Sequence, residues 1–183
     1  MKTLLTEAEI HTGVLNLAQR LSHRYGDTPL TIVGVLTGSL VFMADLIRQL
    51  HMPLRVGLVQ ASSYRGAVTE HGELAINTSW LPQIEGRHVL LIDDIFDTGH
   101  TLAAMIGELT ARHPASLASA VLLSKQGRAE VALRPDYSVF DIPDAFVVGY
   151  GLDYNDQYRN LPYVAEMEPA DLEQGKSEVP NDE

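Results

Sequence analysis

Apolar and polar positions along the chain alternate between two periods. Near the N-terminus, Thr6 and Glu9 stand at capping-box spacing. Val14, Leu17, Ala18 and Leu21 follow at i, i+3, i+4 and i+7, and Tyr25-Gly26-Asp27 supplies a stop, so an amphipathic helix is predicted here. Residues 31–36 (TIVGVL) form a continuous apolar run, the pattern of a strand covered on both faces. The run breaks at Thr37-Gly38-Ser39, after which Phe42, Met43, Leu46, Ile47 and Leu50 lie on one side of a second helix. Another strand is predicted over 55–61, running into Ser62-Ser63-Tyr64. Residues 65–79 are polar and glycine-bearing with a weak strand signal at 74–76, and read as a long hairpin-like excursion covering a site. Residues 88–92 (HVLLI) make the strongest buried strand, which ends in Asp93-Asp94. A turn at Asp97-Thr98-Gly99 leads into a helix carrying Leu102, Met105, Ile106 and Leu109. Later strands are predicted over 117–123, ending at Ser124-Lys125, and over 137–142 and 145–150.

Strands alternating with helices at short spacing predict an α/β protein with an open, mostly parallel, doubly wound sheet. Ligands of such sheets bind beyond the carboxyl ends of the strands, where the polar residues above are placed. The chain shows no internal repeat and no linker. We therefore expect one domain over residues 1–165 and a flexible acidic tail over 166–183, which carries Pro169 and Pro180 and few apolar residues.

Composition narrows the chemistry. The chain has 183 residues, 45% of them hydrophobic and 20% charged, the balance of a soluble domain. No run approaches the roughly 18 uncharged apolar residues of a membrane span, so no membrane partner is expected. The segment MKTLLTEAEIHTG has two acids soon after its few apolar residues and no small-residue cleavage pattern, so it does not read as a secretory signal. A cytoplasmic location is expected. With no cysteine there is no disulfide and no thiolate metal site. Of the formal charge of −11, residues 166–183 supply −6, from seven acids against Lys176. That balance argues against a nucleic-acid partner, whose phosphates need Lys and Arg. A phosphate ligand would be held by backbone N–H groups, a few cations or a metal.

The central feature is the string VLLIDDIFDTGHTL over 89–102. Four apolar residues bury a strand, two adjacent carboxylates follow, and Asp97-Thr98-Gly99 with Thr101 turns into a helix N-terminus. Unpaired N–H groups, hydroxyls and the helix dipole favour a phosphate there. Carboxylates beside an anion site imply a bridging cation or sugar hydroxyls, and magnesium suits oxygen ligands combined with substrate phosphates. As an isolated pair, Asp93-Asp94 reads equally well as an acidic surface turn.

This string resembles the phosphoribosyl-pyrophosphate (PRPP) signature of type I phosphoribosyltransferases. Three further segments resemble the hypoxanthine-guanine members of that family: LTGSLVFMADL over 36–46, Ser62-Ser63-Tyr64, and DAFVVGYGLDYNDQYRNLPY over 144–163. The resemblance spans about residues 4–164. It implies that Asp93 and Asp94 hold ribose, and that Asp97, Thr98, Gly99, His100 and Thr101 form the 5′-phosphate loop. It further implies that Thr37 and Gly38, after a peptide that can be cis, bind pyrophosphate with Arg159, and that Ser63 and Tyr64 begin a mobile lid. A small purine-binding hood is implied as well, in which Phe146 would stack on the base, the Val147 backbone would meet its edge, and Lys125 would donate to the oxygen at position 6. Asp153, with Asp93 and Asp94, is implied near magnesium, the expected cofactor. Many relatives have Lys or Arg where this chain has Thr37, which leaves the backbone to do more. His100 also departs from commoner choices.

The implied reaction is purine salvage, with PRPP and a 6-oxopurine base as the small-molecule partners. Purine N9 displaces pyrophosphate through an oxocarbenium-like state, with Asp97 as general base toward N7. A homodimer or homotetramer is what the resemblance implies. Two alternatives share much of this pattern. A PRPP-sensing regulator on the same fold would need a basic surface or an added DNA-binding module. A sister enzyme for adenine or uracil fits Lys125 and Phe146 poorly, whereas xanthine differs from guanine at position 2, which these residues do not read.

Overall fold

The computed structural model describes residues 1–63, 74–168 and 171. Strands β1 (Lys2–Leu5), β2 (Leu30–Leu36), β3 (Leu54–Ser63), β4 (Leu74–Trp80), β5 (His88–Phe96), β6 (Ser116–Lys125), β7 (Tyr137–Ile142), β8 (Val147–Val148) and β9 (Val164–Glu166) are joined by helices α1 (Glu7–Tyr25), α2 (Leu40–Ile47) and α3 (His100–Thr110). Six strands form the main sheet in the order β4-β3-β2-β5-β6-β7. All its neighbours run parallel except β3 and β4, which are antiparallel.

Alternation along each buried strand feeds two cores, because successive side chains point to opposite faces. Leu30 and Ile32 of β2 and Leu90 and Ile92 of β5 pack with α1 and α2. Val33 and Val35, with Val89 and Leu91, pack with Leu102, Met105 and Leu109 of α3. The sheet is therefore doubly wound, as expected. From β2 the chain winds through β3 to β4 at one edge, then returns to β5 and winds outward to β7. The reversal lies between β2 and β5, so their carboxyl ends open the crevice in which ligands of such sheets bind.

α1 begins as its sequence predicts. The Thr6 hydroxyl accepts from the Glu9 backbone N–H at 3.3 Å, and the Thr6 N–H donates to Glu9 Oε2 at 2.8 Å. Removing this reciprocal cap by Thr6→Ala should lower unfolding free energy by about 1 kcal/mol, read from a denaturant midpoint shift at constant slope. An unshifted midpoint would show that the cap contributes nothing.

The second sheet is a small antiparallel one, in the order β1-β9-β8. It forms the hood anticipated beside the main sheet, although neither β1 nor β9 is predicted by periodicity. The predicted strand over 145–150 shrinks to Val147–Val148. Gly149, Tyr150 and Gly151 take φ of 97°, 50° and 102°, which no ladder accommodates. Three other boundaries also move. β5 continues through both carboxylates to Phe96, α2 stops at Ile47, and Leu50 is buried beyond its end. β9 reaches Glu166 and Met167 is buried, so the fold runs past residue 165. The anticipated excursion has β3 and β4 as its antiparallel arms, with Ser63 at the end of β3. Tyr64, residues 65–73, and the tail from 169 apart from Asp171 lie outside the described residues. Among the described residues no helix is long and apolar enough to cross a membrane, which says nothing of a β-barrel.

Candidate active site

The carboxyl ends of β2 and β5 enclose a cleft of about 430 Å³. Its lining includes Thr37 and Gly38 after β2, Asp93, Asp94, Asp97, Thr98, Gly99 and Thr101 on and after β5, and Asp153 and Arg159 from the hood loop. Ten residues singled out from sequence thus meet in one place although they lie on three separate segments.

Asp93 and Asp94 reach the cleft from consecutive positions of a buried strand. Asp93 Oδ1 accepts the Asp94 N–H at 3.0 Å, and Asp94 Oδ1 accepts the Ile95 N–H at 2.8 Å. Burial, then the charge of Asp94, pushes the Asp93 carboxyl well above the usual carboxylate range. Burial also raises Asp94, against the opposing pull of its contacts with Asp93, the backbone and Arg159. Two adjacent buried acids of this kind call for a ligand that brings hydroxyl donors or positive charge.

Gly38 lies directly against Asp94. A Cβ at position 38 would collide with Asp94 Oδ2, and one at Gly151 would collide with the Gly38 carbonyl. Backbone from the turn after β2, a carboxylate of β5 and the hood loop therefore touch at a point where only glycine fits. The Leu36–Thr37 peptide is cis, as the resemblance implies.

Gly99 precedes α3 with φ of 90°, and a side chain there would strike the Phe96 ring. The turn sets the N-terminus of α3, whose first N–H groups have no partner within the helix, beside the cleft, a site suited to phosphate. Thr98 and Thr101 line the cleft, whereas the His100 ring turns away to Glu130 at 2.9 Å. Only the backbone of His100 remains for an anion.

Asp97 has two cationic partners. Lys125 Nζ donates to its Oδ2 at 3.1 Å and Arg128 Nε to its Oδ1 at 2.9 Å. Burial alone would raise this carboxyl, but the bonds from Arg128 and Lys125 outweigh it and hold Asp97 below its ordinary value. Asp144 Oδ1 stands 3.7 Å from Lys125 and 3.6 Å from Arg128. Sequence reasoning assigned no role to Arg128 or Asp144. The available signal was a cation three residues beyond Lys125, across a Gly127 turn.

On the hood, Phe146 is 45% exposed, unusual for so large an apolar side chain, and it meets Tyr154 edge-on at 5.5 Å between centroids. Its carbonyl accepts the Met167 N–H at 2.8 Å. In an antiparallel ladder bonded and non-bonded pairs alternate, so the N–H and C=O of the next residue, Val147, face away from β9. β8 is the edge strand of its sheet, so those two groups have no ladder partner on that side.

Arg159 donates to the Gly151 carbonyl at 2.8 Å and pairs with Asp153 at 2.9 Å. Asp153 Oδ2 also accepts the Asp156 N–H at 2.9 Å, so both its oxygens are engaged. Among the described residues no group of three acids or histidines is placed to hold a metal by itself. The donor set still fits magnesium, which binds through one or two carboxylates together with substrate phosphates.

Comparison with known proteins gives a consistent picture. A model of the phosphoribosyl transferase domain matches residues 2–155. The hypoxanthine phosphoribosyltransferase of Haemophilus influenzae is 38% identical over 90% of this chain and 93% of its own. The hypoxanthine-guanine phosphoribosyltransferase of Bacillus subtilis is 40% identical over 92% of this chain and 94% of its own. A solved structure of Trypanosoma cruzi hypoxanthine phosphoribosyl transferase superposes with a TM-score of 0.89 at 37% identity, covering 97% of this chain and 96% of that one.

Proposed function

The chain belongs to the phosphoribosyltransferase family, in its hypoxanthine-guanine branch, and from that membership we propose that it transfers the 5-phosphoribosyl group of PRPP to N9 of hypoxanthine or guanine. The products are IMP or GMP and pyrophosphate, a reaction of purine salvage. The observation that carries this reading is the meeting of Thr37, Gly38, Asp93, Asp94, Asp97 and Arg159 in one cleft, with Lys125 bonded to Asp97 at its side.

Each part of the site has a task in this reaction. The turn from Thr98 to Thr101, at the start of α3, binds the 5′-phosphate through backbone N–H groups and hydroxyls. Asp93 and Asp94 accept from the ribose hydroxyls, which relieves their burial. Gly38 and Thr37 present backbone to the pyrophosphate, and Arg159 supplies positive charge as that group leaves. Magnesium would be held by Asp93, Asp94 or Asp153 together with oxygens of PRPP, and would neutralise charge on the leaving pyrophosphate. Phe146 stacks on the purine, the outward groups of Val147 read its edge, and Lys125 donates to the oxygen at position 6. As the N9–C1′ bond forms and the C1′–O bond to pyrophosphate breaks, the proton on N7 passes to Asp97. The lid that begins at Ser63 and Tyr64 excludes water from the oxocarbenium-like state. A homodimer or homotetramer and a cytoplasmic location belong to the same reading.

The base subsite gives the test. Phe146→Ala should raise KM for hypoxanthine about tenfold through lost stacking while leaving KM for PRPP unchanged. Steady-state kinetics with each substrate varied in turn decide the matter. An unchanged KM for hypoxanthine would remove Phe146 from the base site.

A further inference from the structure

The segment that follows β6 closes over the phosphate loop at four points. Arg128 Nε donates to Asp97 Oδ1 at 2.9 Å, and the Glu130 N–H donates to the Thr98 carbonyl at 2.9 Å. The Glu130 carboxylate meets the His100 ring at 2.9 Å, and Val131 packs where a Gly99 side chain would stand. The Arg134 guanidinium bonds back to the Val131 and Leu133 carbonyls and lies 5.7 Å from the centre of the Phe96 ring. The segment is thus fixed to the loop on both sides of Asp97.

Within it, the two cations on Asp97 differ in what the reaction asks of them. Lys125 holds Oδ2 and must also donate to the purine oxygen once a base enters, so its ammonium, which has three N–H donors, is shared between the two. Its side chain is only 11% exposed, and Asp144 stands 3.7 Å away as a second acidic neighbour. Arg128 has no such second task. We propose that Arg128 is a positioning residue for Asp97: it keeps hold of Oδ1, fixing the carboxylate so that the second lone pair of Oδ2 faces the N7 proton. Asp144, 3.6 Å from Arg128, steadies that guanidinium. The proposal rests on the function given above and adds to it the group that holds the base in place.

The full-length enzyme, assayed for IMP formation with PRPP, magnesium and hypoxanthine, tests this through four variants: Arg128→Gln, Arg128→Lys, Asp97→Asn and the Asp97→Asn/Arg128→Gln pair. Arg128→Gln should lower kcat by about tenfold to hundredfold, a fraction of what the positioned base supplies, with KM for PRPP unchanged. Arg128→Lys, which restores the charge, should recover most of the loss. In the Asp97→Asn background the Gln substitution should cost less than about twofold more, because Arg128 acts through Asp97. Independent, multiplying losses, or a wild-type kcat in Arg128→Gln, would overturn the positioning role while leaving the function standing. Wild-type protein that forms no IMP would overturn both.

Discussion

Asp97→Asn is expected to lower turnover by about 10²–10⁴-fold, the range that a positioned general base supplies. The substitution keeps size and shape, and the amide oxygen still accepts from one cation, so binding of PRPP should persist. What it removes is the carboxylate that takes the N7 proton. Stability should change by less than about 1 kcal/mol, because Asp97 is 35% exposed and solvent screens its pairs with Lys125 and Arg128. The sign of that small contribution follows from the lowered folded pKa. It is present above the ordinary Asp range and is lost as pH falls through the lowered value. Comparing kcat with the thermal midpoint of the same preparation separates chemistry from folding. Near-wild-type kcat in the variant would rule out Asp97 as the base.

Gly38→Ala is expected to be as damaging by a different route. The added methyl group would collide with Asp94 Oδ2, and the Gly38 carbonyl already abuts Gly151. The loop cannot retreat toward the hood without displacing Gly151, nor advance without displacing a buried carboxylate. Either shift moves the pyrophosphate loop relative to the ribose acids, and a misplacement of about 1 Å is enough to cost roughly 10²-fold. We expect kcat/KM for PRPP to fall by at least about that factor, together with a lower thermal midpoint. Calorimetric titration of PRPP and steady-state kinetics check both parts. A variant that binds and uses PRPP like the wild type would show that the contact at position 38 is not what shapes the loop.

The sequence made the centre of this site readable for a physical reason. Residues 89–92 are apolar on both faces because α1 and α2 cover one side of β5 and α3 the other. Carboxylates directly after such a strand stand at its carboxyl end whatever the rest of the chain does. The cap at Thr6 and Glu9 was legible because it is local. β1 and β9 were not, since four- and three-residue strands carry no period and β1 pairs with a segment about 160 positions distant. The strand expected over 145–150 failed because Gly149 and Tyr150 take positive φ, as does Gly151 just beyond them, where the hood loop meets Gly38. Family resemblance placed Lys125 and Asp97 in one site. Their bond in the open cleft, and the second cation from Arg128, are products of packing between β5, β6 and the turn after β6. No spacing rule reports such a contact.

The central claim is that this cleft binds PRPP and transfers its ribose phosphate to a 6-oxopurine. The most direct measurement combines PRPP binding by calorimetry with chromatographic detection of nucleotide product, using hypoxanthine, guanine, xanthine and adenine separately with magnesium. The account predicts PRPP binding, IMP from hypoxanthine, GMP from guanine, and no AMP from adenine. PRPP binding without product from any of the four bases would contradict it and identify a PRPP sensor on the same fold.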